Sequence, residues 1–567
     1  MVSEIIGIGM IPVFVSAVSD PDMVLKHDLL GPVFSYIGIQ DGRELLKYGG
    51  LGLVGIFLFK GVYLIWLNYI KNRFIFNRFS MISTNLFKVY MNAPYTFHLR
   101  RNSAELIRNV TNETRFIANY VMNSILKVAM EAITAAGIFL MLLFIEPLLT
   151  VITFVIIGGG GSLLLKLIKK KLKTFGESAT QERARMIQGV DEGINGYKDV
   201  NVMNRESFFI DKFKSYAVNF ANAEIFKSTA IYASKPVIEF VTVTGMMFIA
   251  FFMVWQDRSL GTIIPVLALF GAATVRLMPA INKIVNQLTT FRYYLHSLDP
   301  VYQDMVNIEQ KKESGNSLKN IGKLTLENCI ELKNLSYNYP DSEETVVKNV
   351  NITIPKGSAV GFVGPSGAGK STIVDLILGL LKPNSGEVLV DGVNISTDMR
   401  KWQNNVGYIP QSIYLSDDTI RNNIAFGIPE EMISDEKVHE AIKAANLDSH
   451  VNNLPRGLET NVGEGGIKLS GGQRQRVGIA RALYDNPEVL IMDEATSSLD
   501  NITEKKVISA IEELKGDRTV IMIAHRLTTV ENCDQLYLMK EGEVIDTGTY
   551  SELLDKSEEF QKMNLNE

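Results

Sequence analysis

The sequence predicts a chain of two unlike halves, an N-terminal α-helical membrane domain fused to a C-terminal α/β domain built around a phosphate-binding loop. Three observations predict it. Nearly all the long apolar runs of the 567 residues fall within 1–290. The stretch Gly364-Pro365-Ser366-Gly367-Ala368-Gly369-Lys370-Ser371-Thr372 lies between an apolar run at 359–363 and an amphipathic run at 373–381. That is the strand–loop–helix context which G-x-x-x-x-G-K-[ST] requires. Downstream, Val489-Leu-Ile-Met-Asp493-Glu494 is an apolar strand ending in two acids. The length favours two large domains, and the composition sets them at 1–290 and 325–567, with 291–324 as a polar linker. A net charge of −5 gives no support to a nucleic-acid partner. Two cysteines, Cys329 and Cys533, both in the second half, suit a reduced compartment and inert packing.

Taken in order, the chain opens on a short apolar run, 5–18, preceded by Glu4 where a signal peptide would carry basic residues. A full span wants about 20 residues, so the run reads as part of a first span whose beginning is missing. Residues 19–47 form a loop with an amphipathic piece at 31–39. Five further spans are expected at 48–70, 121–146, 148–168, 236–255 and 261–281. The long connections, 71–116 and 169–233, are rich in Lys and Arg while the others are short turns. The positive-inside rule makes the long ones cytoplasmic, with helices continuing past the bilayer as a stalk. Within them, 92–97 leading into 102–108, and 196–205, break the helical pattern. Each reads as a short helix capping a hairpin or as a plain loop.

Charges within the spans bear on what is handled there. Lys60, Lys127, Glu131 and Arg276 fall inside expected spans, Lys235 opens one, and Lys283 follows Arg276 by seven residues. A charge at the bilayer centre costs at least ~2.5–3.5 kcal/mol, so such residues tend to face a polar cavity. Lys60, Lys235, Arg276 and Lys283 are candidates for a basic cavity that receives an anionic head group. Against this stand interfacial snorkelling and, for Lys127 and Glu131, a pair four apart on one helix face.

In the second half, Ile330 to Tyr339 alternates at period two and reads as a strand. The loop glycines let backbone N–H groups converge on phosphate oxygens, and the following helix N-terminus adds partial positive charge. Lys370 would reach the β/γ-phosphates, and Ser371 would ligate Mg²⁺. Leu469-Ser470-Gly471-Gly472-Gln473 precedes the acidic strand, Ser497-Ser-Leu-Asp500 follows it, and Ala524-His525-Arg526 comes after a further strand.

This set resembles the ATP-binding cassette family over 325 to about 555, and the upstream half resembles its exporter type, six spans fused to one cassette. The resemblance implies a domain-swapped dimer, here a homodimer, using ATP and Mg²⁺. Tyr339 would stack on adenine, Ser366 to Thr372 would hold phosphates and metal, and Ser470 and Gly472 would bind the γ-phosphate of ATP on the partner cassette. Asp493, with Ser371 and Gln411, would support Mg²⁺. Glu494 would polarise the attacking water, His525 would contact the γ-phosphate, and Asp500 would link the two sites. The loop 462–466 would meet the partner's second cytoplasmic hairpin. Phosphoryl transfer needs placement and charge neutralisation above covalent help, which this set supplies.

More narrowly, 102–113, 275–283 and the amphipathic piece after the first span resemble PglK-type flippases. That resemblance implies ATP-driven flipping of a polyprenyl-pyrophosphate-linked oligosaccharide across a bacterial inner membrane, with Lys60, Lys235, Arg276 and Lys283 at the pyrophosphate. Fixed cations offset the cost of carrying a diphosphate through low dielectric. Lysines in place of arginine forks leave the binding geometry open. Alternatives are a multidrug, lipid A-type or peptide exporter and, from another class, an ATP-gated channel or regulator.

Overall fold

The computed structural model describes residues 42–257, 260–310, 322–340, 342, 344–493, 518–524 and 526–565. The expected first span, the amphipathic piece at 31–39, and Glu494, Asp500 and His525 lie outside them. The chain divides into two compact units, one reaching Ser314 without Pro94–Thr96, the other running from Gly315 together with those three residues.

The first unit is helical. Its helices are α1 (Gly42–Met91), α2 (Tyr95–Arg100), α3 (Ser103–Arg108), α4 (Asn123–Ile145), α5 (Pro147–Asn195), α6 (Tyr197–Val202), α7 (Glu206–Trp255), α8 (Leu260–Tyr294) and α9 (Leu298–Gln310). The five expected later spans therefore fall on α1, α4, α5, α7 and α8, and the two pattern breaks carry the short helices α2, α3 and α6. Among the described residues four helical stretches are long and apolar enough to cross a membrane: Gly50–Met91, Ser103–Phe144, Pro147–Asn195 and Glu206–Trp255. Large side chains such as Leu58, Phe59, Ile65 and Trp66 stand exposed along α1, as a lipid-facing helix requires.

Close helix approach depends on small residues. A Cβ on Gly176 of α5 would lie 2.5 Å from the Tyr293 carbonyl oxygen of α8, so only glycine fits that crossing. Between α3 and α4 the helix passes through two π-helical stretches, Asn109–Glu113 and Ile117–Met122. They turn Asn109 and Glu113 inward, both fully buried.

Residues 298–310 correct the expected linker. They form α9 within the first unit, because Val301, Asp304 and Ile308 make one buried face at helical spacing. The polar composition that suggested a linker covers the other face.

The second unit holds two sheets. An antiparallel sheet runs β2-β1-β4-β5, from β1 (Cys329–Asn338), β2 (Thr345–Pro355), β4 (Ser385–Val390) and β5 (Val393–Asn394). A larger sheet runs β10-β9-β3-β8-β7-β6, from β3 (Ala359–Val363), β6 (Val406–Ile409), β7 (Val489–Asp493), β8 (Thr519–Ile523), β9 (Gln535–Lys540) and β10 (Glu543–Gly548). Its inner strands are parallel and only the β9–β10 pair is antiparallel. β3 is buried on both faces, as a central parallel strand must be. Val360 and Phe362 face a core shared with the antiparallel sheet, whereas Ala359 and Val363 face a second core built with helices.

Candidate nucleotide site and membrane charge belt

Because β3, β8, β7 and β6 run parallel side by side, their C-terminal ends meet at one edge of the sheet. The phosphate-binding loop leaves β3 there, Asp493 ends β7, and Gln411 follows β6 by two residues. Ligands of open α/β sheets bind at this edge. The parallel register thus brings together three site residues that lie 123 positions apart at the extremes, from Lys370 to Asp493.

The loop fits a phosphate chain. Gly364 has φ +147° and a Cβ there would stand 2.2 Å from the Met539 carbonyl oxygen; Gly369 has φ +96° and would meet the Val346 oxygen at 2.8 Å. Both positions therefore demand glycine. Gly367, at φ +83°, faces open space, leaving its backbone accessible to an anion. Pro365, Ser366 and Gly367 are exposed, while Ala368, Gly369 and Thr372 are buried. Lys370 opens α10 (Lys370–Ile377) and is 5% exposed. Its ammonium donates to the Gly364 and Pro365 carbonyl oxygens at 2.8 and 3.0 Å, so it spans the loop it would share with a phosphate. Ser371 is exposed at the first turn of α10, where its hydroxyl can reach a metal beside the phosphates. Tyr339 is half-buried, its hydroxyl 3.3 Å from Thr372 Oγ1.

Asp375, one turn further along α10, went unnoticed in the sequence. Burial and the nearby Asp493 carboxylate push it up to about 6. Burial, with the same two carboxylates, also raises the Tyr408 phenol. A cation placed by Asp493 would relieve this concentration of negative charge, which makes the edge a fit place for Mg²⁺.

Ser470, Gly471, Gly472 and Gln473 lie elsewhere in the cassette, at the start of α14 (Gly471–Leu483), a helix packed in the second core. Ser470 caps that helix: its Oγ accepts from the Gln473 N–H at 3.3 Å, and Gln473 Oε1 accepts from the Ser470 N–H at 2.8 Å. Before it come α11 (Ile420–Ile424), α12 (Asp435–Ala444) and α13 (Asp448–Asn452). The far end of α14 holds the segment after Gln411. Arg481 donates to the Asn423 and Tyr414 carbonyl oxygens, each at 2.8 Å, and lies 4.5 Å over the Phe426 ring. Asn423, fully buried, bonds Ser416 and Thr419 through its amide. No local sequence pattern pointed to Arg481, since its partners are 58 to 67 positions away.

In the membrane unit the four basic candidates differ. Lys60 is half-buried with its ammonium 5.4 Å over the Phe57 ring. Lys235 is exposed, one residue before the in-helix Pro236 of α7, and Arg276 is half-buried on α8. Lys283 of α8 donates to Glu131 of α4 at 2.8 Å. The carboxylate expected as a partner for Lys127 thus spans helices instead, and Lys283 is not a bare cation. The same level holds a polar layer: Ser234 Oγ lies 2.6 Å from the side chains of both Asn282 and Asn286, and Ser124 donates to Gln287 at 3.1 Å.

A family model described as ABC transporter matches residues 347–497, and another, ABC transporter transmembrane region, matches 25–277. Among curated relatives, the ATP-dependent lipid A-core flippase of Salmonella paratyphi A is 28% identical over 549 residues, 96% of this chain and 92% of that one. Its counterpart in Haemophilus influenzae is 28% identical over 569 residues, 99% and 94% of the two chains. A solved structure of a bacterial Atm1-family ABC exporter with ATP bound matches with TM-score 0.81 at 24% identity, covering 98% of this chain and 97% of that one. At that identity it speaks to the fold. The two family models join a transmembrane region and an ATPase domain in one chain, in the order the fold presents them: the chain belongs to the ABC transporters, as an exporter half-transporter, an ATP-driven translocase.

Proposed function

We propose that this exporter flips a phosphate-bearing glycolipid of the lipid A type, working as a homodimer in a bacterial inner membrane. The observation that carries the reading is end-to-end similarity to relatives named lipid A-core flippases. The level of Lys235, Arg276, Glu131–Lys283 and the half-buried amides of Asn282, Asn286 and Gln287 suits such a head group. Cations meet phosphate, and amides and hydroxyls meet sugar. A polyprenyl-pyrophosphate-linked oligosaccharide, expected from 102–113 and 275–283, shares the phosphate chemistry but not the relatives' names.

In this reading ATP lies along the loop, its β- and γ-phosphates on the N–H groups at Gly367 to Ser371 and the N-terminus of α10. Lys370 exchanges its bonds to the Gly364 and Pro365 carbonyls for phosphate oxygens, gaining charge-assisted bonds. Tyr339 stacks on the base. Ser371, Asp493 and Gln411 would hold Mg²⁺, which supplies neutralisation of the phosphate charge. Glu494 orients water, His525 contacts the γ-phosphate, and Ser470 and Gly472 of one copy close the site of the other, with Asp500 between the two sites.

The test is transfer of a fluorescent lipid A-type glycolipid across proteoliposomes, with Glu494→Gln beside it. ATP-dependent transfer that the substitution removes supports the reading. Preferential transfer of a polyprenyl-pyrophosphate oligosaccharide would restore the earlier expectation, and ATP turnover without either transfer would refute both.

A further inference from the structure

Gln473 has two partners, and together they fix a third group. Its Oε1 is committed to the Ser470 N–H at 2.8 Å, so its amide nitrogen is the atom that faces His450 Nδ1 at 3.2 Å. An amide nitrogen only donates. His450 Nδ1 must then accept through its lone pair, which leaves the ring neutral with its proton on Nε2. That N–H is buried without a hydrogen-bond partner, and Nδ1 faces a donor, so a charged ring would find an acceptor at neither nitrogen.

We propose that His450 is a positioning residue for ATP hydrolysis: its neutral ring holds the Gln473 amide, and through it the cap that sets Ser470 to Gly472 at the head of α14. The inference rests on the reading that these residues meet a nucleotide. His450 lies on α13, outside every motif named above, and no sequence pattern marks it.

A charged ring would turn N–H against N–H and lose the bond. Burial and the Arg476 guanidinium both push His450 below its ordinary value. Arg476 comes from α14, where it donates to the Asn446 carbonyl oxygen at 2.9 Å. Among the described residues it is the one charged group acting on the ring; α12 and the turn at 457–459 also pack on α13 and contribute none.

The sign follows from linkage. The unfolded chain protonates His450 near pH 6.5 while the folded cassette resists, so the stability it confers is complete above about 6.5 and declines as pH falls from there toward the lowered folded value. Acid should weaken both the cap and turnover.

The experiment compares full-length wild type, His450→Leu and His450→Asn in proteoliposomes, with Lys370→Ala as the ATPase control. His450→Leu is expected to lower kcat several-fold with the KM for ATP within about twofold, because the cap matters at closure and not in loop binding. Asparagine presents an acceptor where Nδ1 stands, so His450→Asn should rescue most of that loss. It should also remove the fall in kcat expected of wild type as pH drops toward the lowered folded value. Retention of the wild-type acid fall in His450→Asn, or an unchanged kcat in His450→Leu, overturns the proposal. Thermal melting between pH 7.5 and 5.5 separates the inference from the reading beneath it. Wild type should lose more melting temperature than His450→Asn even if turnover proved absent, and equal losses would overturn the His450–Gln473 bond itself.

Discussion

Asp304 is where removal of one side chain should tell most about the first unit. Its carboxylate is 2% exposed and takes three donors from the segment 90–109, which runs from the end of α1 past α3. Tyr90 donates at 2.6 Å, Arg101 Nη2 at 3.1 Å and Asn109 Nδ2 at 3.3 Å. A buried hydrogen bond to a charged group is worth roughly 1.5–3 kcal/mol, and this is the expected weight of the Tyr90 contact. Arg101 keeps 37% of its side chain in solvent, so its ion pair adds only about 0.5–1 kcal/mol. Asn109 is fully buried, and losing its acceptor adds about 1 kcal/mol. Asp304→Ala should therefore cost about 3–5 kcal/mol of protection in α9, and Tyr90→Phe about 1.5–3. Hydrogen exchange of the 298–310 amides in detergent-solubilised protein reads this opening directly. A double-mutant cycle should return a coupling of about 1.5–3 kcal/mol between Tyr90 and Asp304. Additive effects, or α9 protection unchanged within about 0.5 kcal/mol, would refute the view that this carboxylate fastens α9 to that segment.

Arg481→Lys keeps the charge but loses the fork that reaches the Tyr414 and Asn423 carbonyls together. Steady-state ATPase should show kcat several-fold lower and ATP affinity unchanged. Glu131→Gln removes the partner of Lys283. The concentration of a phosphate-bearing amphiphile needed for half-maximal stimulation of ATPase should fall about two- to fivefold, with no change for a neutral detergent. For Asp391, burial alone would raise the carboxyl, but N–H groups of Glu327, Asn328 and Cys329 at 2.6–2.9 Å hold it below its ordinary value. The stability it gives is present above about pH 3.9 and is lost as pH falls through the lowered value. Asp391→Asn should flatten the acid limb of a melting-temperature profile.

What could be read from the sequence was what local chemistry constrains. Gly364 and Gly369 are legible because the turn and the Met539 and Val346 carbonyls admit nothing larger. β1 was legible because buried residues recur at period two on either side of a break at Lys333–Asn334, and the spans because a bilayer fixes their length. The misjudged stretch, 298–310, carries its signal in Val301 and Ile308. The seam position between them is an aspartate, and a polar residue at a core position hides a helix face until its donors on another helix are known. Glu131 shows the same limit. The i,i+4 neighbour Lys127 was visible, but the partner it takes lies 152 residues away on α8. His450 is legible in neither way, since its meaning depends on which end of the Gln473 amide faces it.

The two faces of β3 carry a consequence for coupling inside one cassette. The phosphate loop leans on the core that holds Ala368 and Ile373, whereas α14 leans on the other, through Val477, Ile479 and Leu483. Motion of one motif is not forced on the other by shared packing alone. The segment after Gln411 supplies the missing connection. It leaves the sheet edge beside Asp493, and a Cβ on Gly478 of α14 would stand 2.3 Å from Ile413 Cδ1, so helix and segment are in closest contact there. Three residues on, Arg481 closes over Tyr414 and Asn423. A displacement of Gln411 would reach α14 through these backbone-to-guanidinium bonds, and Ser470 caps the other end of that helix. Close packing of this kind moves as a body and does not deform gradually. Gly478→Ala, which drives a methyl into Ile413, should thus disturb kcat as Arg481→Lys does, and the two substitutions together should be less than additive.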